Sequence, residues 1–383
     1  MPTSSFDDVR RLLVRRWDVG DLQEIKALAS GWRVETHRGP LLLAPCGDLD
    51  RRRVLFQHEV TTALGAVGLP VAGPLPDRKG RTVVASGGLR YALYPWMQGR
   101  PLDGLELSLT QCGEVGGLLG RLHAALEQVA PPVQQALMVR TARAADTLAH
   151  ADRLLAEYRT GGFPPDEPAR LLRRRELLAG LADHQPPDGD AFTTGYLHGD
   201  FHAGRLLFDW AGEVNAVLGW DRLHLGPIAG EVVRAAVLLF GHEDLDLERI
   251  EVFVRGYLGE FTLDSAQVQS AVHRLWWEHL CDLDGDAALA EWWTGHLDET
   301  LDVFAAAYRP ARPPVTPGSA TSRDPGYDPV TYDPAAYDPA VDGPAGYDPA
   351  GYEPEEYGFR PEDFDPSEFT LEDEVLEYAE GYP

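Results

Sequence analysis

Leu197-His198-Gly199-Asp200-Phe201-His202-Ala203-Gly204-Arg205-Leu206-Leu207-Phe208-Asp209 is the stretch on which the fold turns. On its far side Asp209 is placed to close a hairpin turn, and Val214-Asn215-Ala216-Val217-Leu218-Gly219-Trp220-Asp221 reads as the returning strand. Together they make a two-strand interruption, Gly195 to Trp220, in sequence that is otherwise helical in spacing. Leu109 to Leu126, most of Thr141 to Asp183, and Gly226 to Ala307 all carry that spacing. Nearer the N-terminus, Phe6, Val9, Leu12, Leu13 and Trp17 mark a helix. Strands follow at Ser30 to Thr36 and Leu41 to Ala44, broken at Arg38-Gly39-Pro40. A helix over Val54 to Leu64 precedes two more strands, Arg81 to Ala85 and Leu89 to Trp96, joined by Ser86-Gly87-Gly88. Strands with one helix, followed mainly by helices, form an α+β plan of two lobes.

Composition bounds the class. A chain of 383 residues can bury a substantial core. Cys46, Cys112 and Cys281 are odd in number, far apart and lack a CxxC pair, which argues against disulfides and zinc and for a cytoplasmic protein. The N-terminus has no uninterrupted apolar segment of a signal peptide, and no run approaches the ~18 apolar residues of a membrane span. The formal charge of −27 disfavours nucleic acid and anionic membranes as partners. That charge is uneven: from Thr321 onward 18 acidic and 2 basic residues carry −16, leaving −11 on the rest. Arg309 to Ser322 reads as a linker. After it Tyr327, Tyr332, Tyr337, Tyr347, Tyr352 and Tyr357 follow a five-residue period, mostly as Tyr-Asp-Pro, with Asp342 filling the skipped position. Proline at that period forbids a continuous helix, so residues 313–383 are expected to be a disordered acidic tail. Its last apolar residues, Phe364 to Tyr378, suit folding on a basic protein partner.

The chemistry sits in the opening stretch. In protein kinases the loop H-R-D-x-x-x-x-N supplies an Asp that takes or orients the substrate hydroxyl proton and an Asn that holds magnesium. Five residues after Asp200 stands Arg205. The next strand of a kinase ends in a second metal ligand, the Asp of Asp-Phe-Gly, and the matching position here is Gly219. With His198, Gly199, Asp200 and His202 in place, the chain resembles the aminoglycoside phosphotransferase family and its choline and homoserine kinase relatives. Their loop is H-G-D-x-H-x-x-N and their metal strand reads Ile-Asp-Phe or Ile-Asp-Trp, against Leu218-Gly219-Trp220 here. Gly117 to His123, Gly226-Pro227 with Glu231, and Tyr94-Pro95-Trp96-Met97-Gln98-Gly99 match other landmarks of that family, over roughly Leu28 to Arg312.

The resemblance implies a bilobal protein-kinase-like fold: a small sheet lobe over residues 1–97, a large helical lobe over 98–312, and the tail. It implies Asp200 as the base position, with His198 and His202 supporting the loop. A nucleotide would meet the turn at Ser30 and Gly31, Glu59 as partner of the small-lobe lysine, the linker at Tyr94 and Trp96, and Arg205 as an anion contact. The lysine itself is missing, because Ala44 stands near the end of its strand, and Trp32 is bulky beside a single glycine. Asp221 is the remaining candidate for a metal, two residues beyond Gly219 and on the same face if the strand continues. Glu35 and Asp209 are weaker candidates.

Three of four metal- or phosphate-binding groups are therefore absent, and phosphoryl transfer rests on positioning and on neutralising charge. The reading is a catalytically impaired pseudokinase that binds a small-molecule or peptide ligand in the inter-lobe cleft. The alternatives are an active kinase using ATP and Mg on a hydroxyl, and a scaffold recruiting a partner through its acidic tail. Arg205 either holds an anion without magnesium or closes the site on Asp200. Trp276-Trp277 and Trp292-Trp293 are expected to be core and rim of the helical lobe. No Ser-His-Asp or Cys-His spacing supports a hydrolase.

Overall fold

Amphipathic spacing begins the chain. The computed structural model of the protein describes residues 6–47, 49–131, 137–138, 141–160, 166–187 and 191–308. Helix α1 (Phe6–Arg16) buries Val9, Leu12 and Leu13, with Asp7 and Asp8 in its first turn and Arg15 and Arg16 in its last, as the helix dipole favours. It covers one face of a five-stranded antiparallel sheet of order β1-β2-β3-β5-β4. The strands are β1 (Leu22–Leu28), β2 (Gly31–Thr36), β3 (Leu41–Pro45), β4 (Val84–Ser86) and β5 (Leu89–Pro95). Trp32, Val34, Leu43, Tyr91 and Leu93 pack under α1 with Trp17. Helix α2 (Arg51–Ala66) starts three residues before the first apolar position because Asp50 caps it, accepting from the Arg52 N–H. Strand β4 starts at Val84 rather than Arg81. Buried Asp77 gathers the N–H groups of Lys79 and Arg81 and the Arg81 guanidinium at 2.6 Å, which holds that segment in a turn.

The helical lobe starts with α3 (Leu109–Val129), opened by a capping box between Ser108 and Gln111. Then come β6 (Leu137–Met138), α4 (Ala144–Thr160), α5 (Asp166–Gly180), β7 (Ala191–Phe192), β8 (Thr194–Leu197), β9 (Leu206–Phe208), β10 (Val214–Val217) and β11 (His224–Pro227). The chain continues with α6 (Ile228–Phe240), α7 (Leu247–Leu258), α8 (Ser265–Cys281), α9 (Ala287–Gly295) and α10 (Leu297–Ala306). Helices α3 and α7 touch backbone to backbone: a Cβ on Gly116 would lie 1.9 Å from the Phe253 carbonyl oxygen, and one on Gly256 would lie 2.1 Å from that of Gly113. Trp276, Trp277 and Trp293 are fully buried. Trp292 lies at the rim, stacked on His296 at 4.3 Å.

Where two strands were expected between Gly195 and Trp220, β9 pairs with β10, and β8 pairs with β11, which lies beyond Trp220. The outer pair escaped the sequence reading because Gly195, Gly226 and Pro227 give it little strand character. Strand β1 was not delimited for a different reason: at the sheet edge it is exposed and charged between Leu22, Ile25 and Leu28. Among the described residues no helix is long and apolar enough to cross a membrane. The expected linker and tail, from Arg309 onward, lie outside the described residues.

Candidate functional site

The loop after β8 is held from behind by one buried carboxylate. Glu231, on the first turn of α6, accepts the backbone N–H of His198 at 3.1 Å and of Gly199 at 2.5 Å. Its other contact is His123 of α3 at 2.7 Å, whose second ring nitrogen meets the Tyr257 hydroxyl at 2.8 Å. Burial pushes the Glu231 carboxyl upward. The hydrogen bonds it accepts from His123 and from the Gly199 N–H outweigh that, so it stays below its ordinary range. His198 is wholly buried, which holds its ring neutral. Its Nε2 donates to the Leu218 carbonyl at 2.8 Å, and Nδ1 then accepts the Asp200 N–H at 3.2 Å. The ring also meets the edge of Trp220 at 4.7 Å. One histidine thus ties the loop carrying Asp200 to the end of the strand that leads to Gly219.

Asp200 is not open to a metal. The Arg205 guanidinium sits on its carboxylate, Nε at 2.7 Å and Nη2 at 2.5 Å from Oδ2, while His202 Nε2 stands 3.7 Å from Oδ1. Gly219 adopts a left-handed conformation, φ +83° and ψ 41°. A Cβ there would lie 2.6 Å from Arg205 Nε and 2.7 Å from its Cδ. The two departures from the family pattern are therefore one structural unit, in which the arginine fills the space next to the bare glycine. Strand β10 ends at Val217, and the chain turns at Gly219 into a short 3-10 segment, Trp220–Arg222. The alternation of a strand does not extend to Asp221, which is exposed and whose backbone carbonyl accepts from Gln57 at 3.0 Å. Asp209 closes its turn, accepting from Ala211 and Glu213, and Glu35 stands beside Arg33. Among the described residues no three His, Cys, Asp or Glu side chains are grouped to hold a metal. The donor set present does not fit magnesium.

The sheet lobe departs in the same direction. Gly31, after the two-residue turn Ala29-Ser30, has φ +146°, and a Cβ on it would lie 2.3 Å from the Leu43 carbonyl oxygen. That glycine is spent on packing against β3. Trp32 does not cover the cleft; it is buried under α1. Ala44 brings no charge, and exposed Glu59 makes no ion pair with a described residue. Helix α2 is instead anchored one residue earlier. His58 bonds Tyr94 of β5 at 3.0 Å and Thr82 at 2.9 Å; burial lowers its pKa to about 4 and raises the Tyr94 phenol above its usual range. Phe56 packs on Tyr196 of β8 at 5.2 Å. This uncharged link was invisible in sequence, because a lone His in a helix has no spacing signature. Burial raises the thiol of each free cysteine to about 11, which disfavours the thiolate.

Residues 21–268 match the sequence model of the phosphotransferase enzyme family. The chain belongs to that family. An aminoglycoside phosphotransferase from Alicyclobacillus acidocaldarius is 11% identical, with a TM-score of 0.52 over 80% of this chain and 96% of that one. The family member therefore has the bilobal kinase-like fold. An amicoumacin kinase in complex with AMP-PNP, Ca2+ and Ami is 17% identical at a TM-score of 0.49, covering 79% of this chain and 94% of that one. A spectinomycin phosphotransferase with ADP and spectinomycin is 16% identical at 0.48, covering 81% and 96%. No curated protein matches. His198 and Glu231 were separate landmarks in the sequence, and the structure joins them through the His198 and Gly199 N–H groups. The contact of Arg205 with Gly219 is what the landmarks left out.

Proposed function

We propose that this phosphotransferase family member is a pseudokinase, binding a small-molecule or peptide ligand in its inter-lobe cleft without transferring phosphate. The observation that carries the reading is the Arg205 guanidinium on Asp200, packed against Gly219 where a metal ligand would stand. Stabilising a transferring phosphoryl group needs cations aimed at it, and each tenfold in rate is about 1.4 kcal/mol of that stabilisation. Here the cation nearest the base position neutralises the base itself. The lysine position is Ala44, so a triphosphate loses its second contact. Its free cysteines fit a cytoplasmic location, and its acidic tail, residues 313–383, is suited to a basic protein partner.

A second reading is favoured by one observation: the frame around His198, Glu231 and His123 is complete. An active kinase of a hydroxyl on a small molecule or peptide, using ATP and magnesium, would keep such a frame. The test is ATP turnover with hydroxylated acceptors, wild type against Asp200→Asn. Equal background in both proteins agrees with the pseudokinase. Turnover that Asp200→Asn abolishes establishes the kinase.

A further inference from the structure

Strand β2 alternates cleanly: Trp32, Val34 and Thr36 are buried under α1, so Arg33 and Glu35 stand on the opposite face of the sheet. That face also carries Ala44 and Tyr94, because Arg33 pairs with Leu42 of β3 and Leu42 with Tyr94 of β5. The Arg33 guanidinium lies 4.6 Å over the ring of Trp96, in the inter-lobe linker. Its Nε is 2.7 Å from Glu35 Oε1, an ion pair that is not aligned as a hydrogen bond, and this buried N–H has no hydrogen-bond acceptor. The Arg33 guanidinium, though ion-paired with Glu35, makes no aligned hydrogen bond to a described residue. A guanidinium has five N–H donors in a planar fork that matches the oxygens of phosphate and carboxylate. Holding one on an aromatic platform, with Glu35 beside it but no aligned hydrogen bond made, prepares it for an oxyanion. Lys26 of β1 lies opposite Arg33 in the same cross-strand row. The lobe as a whole supports the sign: residues 1–97 hold 14 Lys and Arg against 10 Asp and Glu, while the whole chain holds 34 against 61.

We propose that Arg33, held on Trp96, makes the sheet-lobe side of the cleft an oxyanion site that works without a metal. The ligand is a small molecule bearing a phosphate or carboxylate group. This deepens the pseudokinase reading and rests on it: with Arg205 committed to Asp200, Arg33 is a cleft-facing cation with donors to offer. Glu35 is the internal competitor, which an incoming anion displaces from the guanidinium.

The test is a thermal-shift titration of the full chain in EDTA with two probes, pyrophosphate and citrate, at low and at moderate salt. A probe that binds only the folded protein raises its melting temperature. The expected result is a shift with one or both probes, weakened by salt and reduced at least tenfold in apparent affinity by Arg33→Ala. A shift with pyrophosphate alone assigns a phosphate ligand, with citrate alone a carboxylate, and with both the shared oxyanion chemistry. Should Arg33→Ala fail to fold, Glu35→Gln decides, because removing the competitor should tighten binding at least threefold. No shift in the wild type, a shift indifferent to Arg33→Ala, or an affinity unchanged by Glu35→Gln overturns the proposal. Failure of the pseudokinase reading looks different: it is seen as turnover of ATP, which none of these measurements contains.

Discussion

Returning a carboxylate to position 219 tests the coupling between Gly219 and Arg205. Gly219→Asp must adopt φ +83°, a region that costs an L-residue roughly 1–2 kcal/mol and costs Asp less than most. Its Cβ would stand 2.6 Å from Arg205 Nε, so the arginine side chain has to leave its place. Leaving breaks a charge-assisted contact with Asp200, worth roughly 1.5–3 kcal/mol in full and less here because Arg205 is 36% exposed. The single variant should therefore lose about 2 kcal/mol. Arg205→Asn alone removes the same contact and should lose about 1–2 kcal/mol. In the double variant the overlap is gone, so the losses should fall short of additive by at least about 1 kcal/mol. The two introduced side chains would then restore the family's metal-ligand pair beside Asp200, and stability should rise with magnesium in this double variant alone. The assay is urea unfolding of the four proteins with and without magnesium. Additivity within about 0.5 kcal/mol, together with no magnesium effect in the double variant, would refute the coupling.

Three further expectations follow from the frame around the site. Glu231→Ala strips partners from His123 and from two buried N–H groups, and should cost about 3 kcal/mol, read as a lower urea midpoint; a loss under about 1 kcal/mol contradicts the assigned role. Tyr94→Phe removes the hydroxyl bonded to His58 and should cost about 1 kcal/mol in the same measurement, whereas an unchanged midpoint means that α2 is anchored elsewhere. His58 titrates near pH 4 in the folded protein and near 6.5 unfolded, so the unfolded chain binds the extra proton between those values. Stability should then be level above about pH 6.5 and fall as the pH drops toward 4, by up to roughly 3 kcal/mol. His58→Gln should flatten that slope; an equal slope in the variant removes His58 as its cause.

The fold and the outline of the site were legible because they depend on local spacing. His198, Gly199 and Asp200 form a contiguous signature; Arg205 follows at a fixed offset, and Gly219 and Ala44 were read from the ends of their strands. Glu231 and His123 were recognisable as landmarks, though their contact, 108 residues apart in sequence, was not. What stayed hidden are contacts set by register and side-chain direction. Trp32 looked like an obstruction in the cleft until the pairing of β2 placed it under α1 with Val34. The same alternation sends Arg33 to the cleft, but its seat on Trp96 joins residues 63 positions apart and follows only from the strand order β2-β3-β5. Asp221 looked available for a metal because a strand was expected to continue; the left-handed Gly219 ends it.

The central claim is that the base position is neutralised by an arginine rather than served by a metal. The most direct measurement is a thermal-shift titration of the wild-type protein with ATP, with magnesium and with EDTA in its place. The account predicts either no shift or one that is the same in both conditions. A shift that appears only with magnesium would contradict it, placing a working metal site beside Asp200.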